Sequence, residues 1–313
     1  MCFDCSDPFL KYIRFSVLLA GLSIPLLCKR QQAIRVEFSL LPLHTTMTTP
    51  TQMMPVYFLG IGGPNFMENT HHPAYAQLTS VGNEITTRVK PKAIVVFSAH
   101  WQGGHTSIAI NAAEETDIIY DFYGFPKHYY EFKYPSKGSP ELADKVATLL
   151  EKSGVKIEKV KRGLDHGVWV RFAAAFDPKK NPLHVPIVQH YRLGQALQSL
   201  RQEGILIVGA GMAVHNLYDF RATRGTGRTM PYVFTFDDAL KEAATTLPED
   251  REAKMAGLLN REDARKAAPT LEHLLPMYVV AGAANNDTGE RLWTLTEGSL
   301  SWAQYRFGKV PGA

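Results

Sequence analysis

Cysteine is nearly absent from this chain of 313 residues: the three are Cys2, Cys5 and Cys28. Everything beyond them therefore lacks a disulfide framework, a Cys-based zinc site and a thiol nucleophile. An excess of one charge is missing too. Lys and Arg number 34 against 30 Asp and Glu, a net +4, too mild to argue for a nucleic-acid partner. No apolar run reaches the length of a bilayer-spanning helix. There is no G-x-S-x-G elbow, which argues against a hydrolase of that design. Gly209-Ala210-Gly211 has no third glycine at dinucleotide-binding spacing, and no acid stands at a second strand end to complete such a site. Internal repeats and low-complexity tracts are lacking as well.

What remains is an ordinary globular composition, 45% hydrophobic and 20% charged. Residues 1–54 read as an N-terminal extension. Phe15 to Cys28 is a short apolar stretch between basic residues, as in a secretory signal or a mitochondrial presequence. Asp4 and Asp7 weaken the signal reading, and Met47 offers a later start that would leave the segment untranslated. The body, 55–313, is expected in the cytoplasm, with targeting by residues 1–46 as the alternative.

The body alternates strand-like and helix-like segments, the pattern of a layered α/β domain. Val56 to Gly60, Ala93 to Ser98, Val185 to Val188 and Ile205 to Val208 read as buried strands. Ser139-Pro140-Glu141 opens a helix that Gly154 ends. Leu193 to Glu203 reads as an amphipathic helix, Phe236 to Leu259 as mostly helical with a break near Pro248, and Leu271 to Ala284 as a helix. No linker divides the body.

With cysteine excluded, any metal must be held by His, Asp or Glu, and there are eleven histidines. His100 follows the most apolar strand, and ligands of open α/β sheets bind outside the carboxyl ends of strands. His215 follows strand 205–208 and can reach the same rim. His166 sits in a turn leading into an apolar helix, and His273 at a helix start. Four histidines beside turns or element ends either converge on one site or are unrelated structural residues. Imidazole suits zinc, iron, copper and nickel alike.

The strings SAHW (98–101), YDFYGFP (120–126), GLDHGVW (163–169), HNL (215–217), PTLEHLLP (269–276) and GSLSWAQYRFG (298–308) occur in that order. On these strings, from Pro55 to Val310, the chain resembles the class III extradiol ring-cleavage dioxygenases of the LigB type, in the DOPA-dioxygenase-like branch. The resemblance implies a three-layer α/β/α domain with a mostly parallel central sheet and a metal site at one rim. It implies His100 and His273 as metal ligands. His215 is implied as the catalytic acid/base or a further ligand, and His166 as a residue lining the substrate pocket. Non-haem Fe(II) is the expected working metal, with zinc able to occupy the same site. The expected partners are a small catechol and O2, with no nucleic acid and, for the body, no membrane. A neutral histidine can take a proton from the catechol and return it later, with His215 first and His166 assisting. Tyr120, Phe122, Tyr123 and Phe125 are candidates for an aromatic wall of the substrate pocket.

The chain departs from the family pattern twice. Ile61, in Phe58-Leu59-Gly60-Ile61-Gly62-Gly63-Pro64, stands where the resemblance puts a metal-binding histidine. His71 or His72 swings in, or the site is one ligand short, or activity is lost. After Gln189, PIVQ runs directly into HYRLGQ, where related proteins carry a further loop. Two other functions compete with ring cleavage. One is a metal-poor homologue that binds an aromatic ligand or a partner without turnover. The other is a zinc hydrolase with Glu272 or Asp165 as its base.

Overall fold

The computed structural model describes residues 53–60, 62–101, 107–183, 187–190 and 194–312. Ile61, nearly all of the N-terminal extension and residues 191–193 of the junction after Gln189 lie outside these. The described residues belong to one compact unit.

Every residue of β1 (Val56–Gly60), β2 (Ala93–Ser98) and β6 (Ile205–Gly211) is buried. This is what apolar runs without alternation require of central strands. Together with β5 (Ile187–His190) they form a parallel core in the order β5-β2-β6-β1. The sheet extends on one side through β3 (Ile108–Asn111) and β4 (Ile157–Val160). On the other side it extends through β11 (Gln304–Phe307) and β8 (Gly289–Trp293), to eight strands in the order β4-β3-β5-β2-β6-β1-β11-β8. The pairs β3·β5, β1·β11 and β11·β8 are antiparallel. A small separate sheet joins β7 (Val214–His215), β10 (Leu300–Ser301) and β9 (Thr296–Glu297).

Side chains alternate between two cores, one on each face. Val56, Phe58, Val95, Phe97, Ile205 and Ile207 enter one. Tyr57, Leu59, Ile94, Val96, Leu206 and Val208 enter the other. The first is covered by helices Pro140–Lys152, Pro231–Ala244, Pro248–Leu258 and Leu275–Ala283, the second by Pro73–Glu84 and His166–Ala175. The result is the expected three-layer α/β/α arrangement. Among the described residues no helix is long and apolar enough to cross a membrane.

Helix Pro140–Lys152 begins as its sequence demands: Ser139 Oγ accepts from the Leu142 amide at 3.2 Å, with Pro140 in the first turn. Segment 193–203 winds differently from a single α-helix. Gly194–Leu197 is α-helical and Gln198–Glu203 is a 3-10 helix. Arg201, fully buried at its end, donates to the carbonyls of Met54, Ala283 and Ala284 and pairs with Asp287. The last predicted helix starts later than its apolar pattern, at Leu275 rather than Leu271, with Pro276 in its first turn. His273 therefore lies in the turn before the helix.

Candidate active site

The rim at the carboxyl ends of β2 and β6 is where four chain segments meet. β2 ends at Ser98 and hands the chain to His100, whose amide donates to Ser98 Oγ at 3.1 Å. Ser98 Oγ in turn donates to the buried Asp165 carboxylate at 2.7 Å. Asp165 precedes helix His166–Ala175 and also accepts from Arg162 at 3.2 Å. Gly167 follows His166. A Cβ there would lie 2.9 Å from the His100 ring, from Ser98 Oγ and from Asp165 Oδ1, so only glycine lets this helix approach His100 so closely.

β6 supplies the other half. The Met212 amide, just past its end, donates to the His273 carbonyl at 2.9 Å. A Cβ on Gly211 would run into that same carbonyl. The glycine pair read in the sequence as a weak nucleotide-binding hint thus serves to seat the His273 turn. His215 follows in β7, paired with Leu300.

These elements bring all four sequence-predicted histidines together. His100 Nε2 lies 3.0 Å from His273 Nε2. His100 Nδ1 lies 3.2 Å from His166 Nδ1. The His215 and His273 rings stack with centroids 3.6 Å apart and planes 13° apart. Two carboxylates join them. Asp121 Oδ1 is 2.9 Å from His166 Nδ1 and accepts from the His166 amide at 2.8 Å, while its Oδ2 is 3.7 Å from His100 Nδ1. Glu272 Oε1 is 3.1 Å from His273 Nδ1. Among the described residues two groups have donor atoms close enough to share an ion, His100–Asp121–His166 and His215–Glu272–His273.

Burial is the main cause that pushes His100 and His273 below the ordinary histidine range, and it takes His215 down to about 2. These rings are neutral near pH 7, the form that binds a metal. Burial pushes the Asp121 carboxyl up, but its hydrogen bonds with His100 and His166 outweigh this and hold it well below the usual carboxylate range.

The cluster opens into a pocket of about 480 Å³, lined by His100, Trp101, Asp121, Arg162, His166 and His273 among others. The Arg162 guanidinium lies 4.7 Å from the centroid of the Trp101 ring.

The comparisons with known proteins agree with this architecture. Residues 54–303 match the family model described as the catalytic LigB subunit of aromatic ring-opening dioxygenase. The chain belongs to this family. It is 34% identical to a 4,5-DOPA dioxygenase extradiol of Beta vulgaris over 83% of this chain and 99% of that protein. It is 32% identical to a protein of the same name from Escherichia coli K12 over 77% of this chain and 89% of that one. The crystal structure of an uncharacterized Escherichia coli K12 protein superposes with a TM-score of 0.63 at 26% identity, covering 82% of this chain and all of that one.

The aromatic side chains of the string 120–126 are held by contacts of their own. The Tyr120 hydroxyl donates to the Phe132 carbonyl at 2.6 Å. Tyr123 is 91% exposed. Phe125 packs edge-on against Phe122 and Tyr129. Phe122 is buried, with its ring edge-to-face 5.5 Å from His166. None of the four is among the pocket-lining residues. The histidines weighed as replacements at position 61 are placed elsewhere. His71 is exposed. Both ring nitrogens of His72 are engaged, by the Ala74 amide and by Glu297, each at 3.2 Å.

Asp121, Arg162 and Trp101 are pocket residues that the sequence reading did not single out. All three lie within or beside the quoted strings. The only available signal was that Asp121 is the one acid in an otherwise aromatic run.

Proposed function

We propose that this protein is a non-haem Fe(II)-dependent extradiol dioxygenase that opens the ring of a small, DOPA-like catechol and places both atoms of O2 in the product. The observation that carries this reading is the cluster of histidines and carboxylates around His100 at the mouth of an open pocket. Membership of a ring-opening dioxygenase family and relatives named 4,5-DOPA dioxygenase extradiol support it. The donor set suits iron, since imidazole and carboxylate together hold Fe(II) in oxygenases while leaving positions open. A bound Fe(II) would supply open positions for a catecholate and O2 and relay electrons from the catecholate to O2. Zinc fits the same donors but has no redox chemistry.

The residues that would hold the metal belong to the cluster around His100. Of the ligands implied by the resemblance, His100 and His273 face each other through Nε2, and His215 stacks on His273. The chain's own contribution to the chemistry is proton handling. A catechol hydroxyl must lose its proton on binding, and a proton must return before the product leaves. His166 at the pocket wall and His215, stacked on His273, are the two imidazoles placed to carry it. Arg162 and Trp101 offer the substrate a cation and an aromatic face on the same wall.

The test is oxygen uptake by protein reconstituted anaerobically with Fe(II) and given DOPA or protocatechuate. Stoichiometric uptake with a yellow ring-opened product is expected. Protein that binds Fe(II) and the catechol but consumes no oxygen would refute the reading. That outcome would favour the alternative to which Ile61 points, a homologue that binds an aromatic ligand without turning it over.

A further inference from the structure

The inference rests on the reading of this pocket as a catechol site and concerns which catechols it selects. Among the described residues that line the pocket, Arg162 is the only lysine or arginine. The two carboxylates there, Asp121 and Glu272, are engaged by His166 and His273. Arg162 is held at both ends. The buried Asn111 side chain, at the carboxyl end of β3, donates to the Arg162 carbonyl at 2.7 Å and accepts from its amide at 3.1 Å. At the other end Nη1 donates to Asp165 at 3.2 Å, and the guanidinium lies 4.7 Å from the Trp101 ring centroid. A long side chain fixed before its ligand arrives loses little freedom on binding it. The two groups that hold the guanidinium are chain neighbours of pocket histidines: Trp101 follows His100, and Asp165 precedes His166. The cation is therefore set in register with the histidine wall.

Asp165 forgoes its local role to do this. It stands at the N-cap of helix His166–Ala175, where an aspartate commonly accepts from the first-turn amides. Its side chain makes no capping bond. Instead Oδ1 accepts from Ser98 Oγ at 2.7 Å and Oδ2 accepts from Arg162. Ser98 Oγ accepts in turn from the His100 amide at 3.1 Å. One fully buried carboxylate thus has two branches, one supporting His100 and one aiming the guanidinium.

We propose that Arg162 is the specificity-determining residue of this pocket, selecting catechols whose side chain ends in a carboxylate, and that Asp165 is the positioning residue that aims it. A guanidinium presents its N–H donors in a planar fork that matches a carboxylate. A substrate ammonium at the same place meets a like charge, and an apolar side chain gains no hydrogen bond from it.

The experiment measures kcat and KM of the Fe(II)-reconstituted full-length protein for 3,4-dihydroxyphenylpropionate, 4-methylcatechol and dopamine. Anaerobic calorimetry gives Kd for each. The parent is expected to favour the propionate over 4-methylcatechol by about 10–100-fold, the range of a charge-assisted pair, with dopamine last. Arg162→Gln should lower the propionate-to-methylcatechol ratio of kcat/KM by more than about tenfold, through KM and Kd. Asp165→Asn keeps an oxygen for Ser98 but turns an NH2 group towards Arg162, so the ratio should fall here too. Ser98→Ala cuts the other branch and should lower kcat for both substrates alike, with their ratio as in the parent. A merely structural Asp165 would depress all substrates together, and such a result overturns the positioning role. If circular dichroism shows that Asp165→Asn does not fold, Arg162→Lys decides. Lysine keeps the charge without the planar fork, so the ratio should fall, and an unchanged ratio overturns the positioning role. A parent that handles the three catechols equally, or an Arg162→Gln variant with the parent's ratio, overturns the proposal and leaves ring cleavage standing. A parent that turns over none of them overturns both.

Discussion

Arg171 sits in helix His166–Ala175 with no exposed surface, and none of its three guanidinium nitrogens has a hydrogen-bond partner among the described residues. Burial lowers its affinity for the proton well below the ordinary arginine range, and Asp165 opposes this only in part. Its positive charge also acts on His100 and His273, helping to keep both unprotonated. Leaving a buried charge without close partners costs several kcal/mol. Arg171→Leu keeps most of the apolar stem's packing and removes the charge. Exchange of buried ionic groups for apolar ones of similar volume has stabilised other proteins by about 1–4 kcal/mol. In a domain of this size a gain of about 2 kcal/mol raises Tm by roughly 4–8 °C. The assay is thermal unfolding of metal-free parent and variant at one pH, with Co(II) titration alongside. The variant should melt higher and bind the cation more tightly, because a like charge behind the site has gone. A variant that melts several degrees lower would refute the reasoning and show that Arg171 holds the fold through a partner.

Three further outcomes are expected. Gly211→Ala pushes a methyl into the His273 carbonyl and should cost about 1–3 kcal/mol in chemical denaturation, together with loss of metal affinity as His273 shifts. The metal-free protein should lose stability in acid. Histidine in the unfolded chain gains its proton near pH 6.5, whereas folded His215 resists to about 2, so stability present above pH 6.5 falls as pH drops below it. From about pH 7.5 to about 5.5, His215 alone contributes a loss of about 1.4 kcal/mol, readable as a lower denaturation midpoint, and His100 and His273 add in the same direction. Arg162 gives NH1 to Asp165 and lines the pocket. Arg162→Met should therefore raise KM about 10–100-fold for a carboxylated catechol and much less for plain catechol. An equal change for both would refute a carboxylate-binding role.

Much of the framework was legible because its signals are local. Apolar runs such as Ala93–Ser98 and Ile205–Val208 need no context to be read as central strands, and Ser139-Pro140-Glu141 carries its own start signal. The four histidines were legible because each follows a strand or turn in a recognisable string. Asp121 was not, since its role depends on a loop between residues 112 and 139 that has no period to read. The string around it announces aromatic character but not direction, and Tyr123 points outward while Phe122 packs on His166. The 3-10 winding of Gln198–Glu203 was hidden for a related reason, because over six residues the buried face of a 3-10 turn and of an α-turn coincide.

The position of β1 has a consequence for synthesis. It is the first strand of the sheet, yet its neighbours are β6 and β11, which begin at residues 205 and 304. Until the ribosome has delivered both, an apolar strand with two open edges has nothing in its own half of the chain to pair with. Such edges recruit other chains, and pairing across so many residues is slow. Aggregation should therefore compete with folding mainly before Gln304–Phe307 emerges. A chain cut just before Gln304 would leave one edge of β1 permanently open.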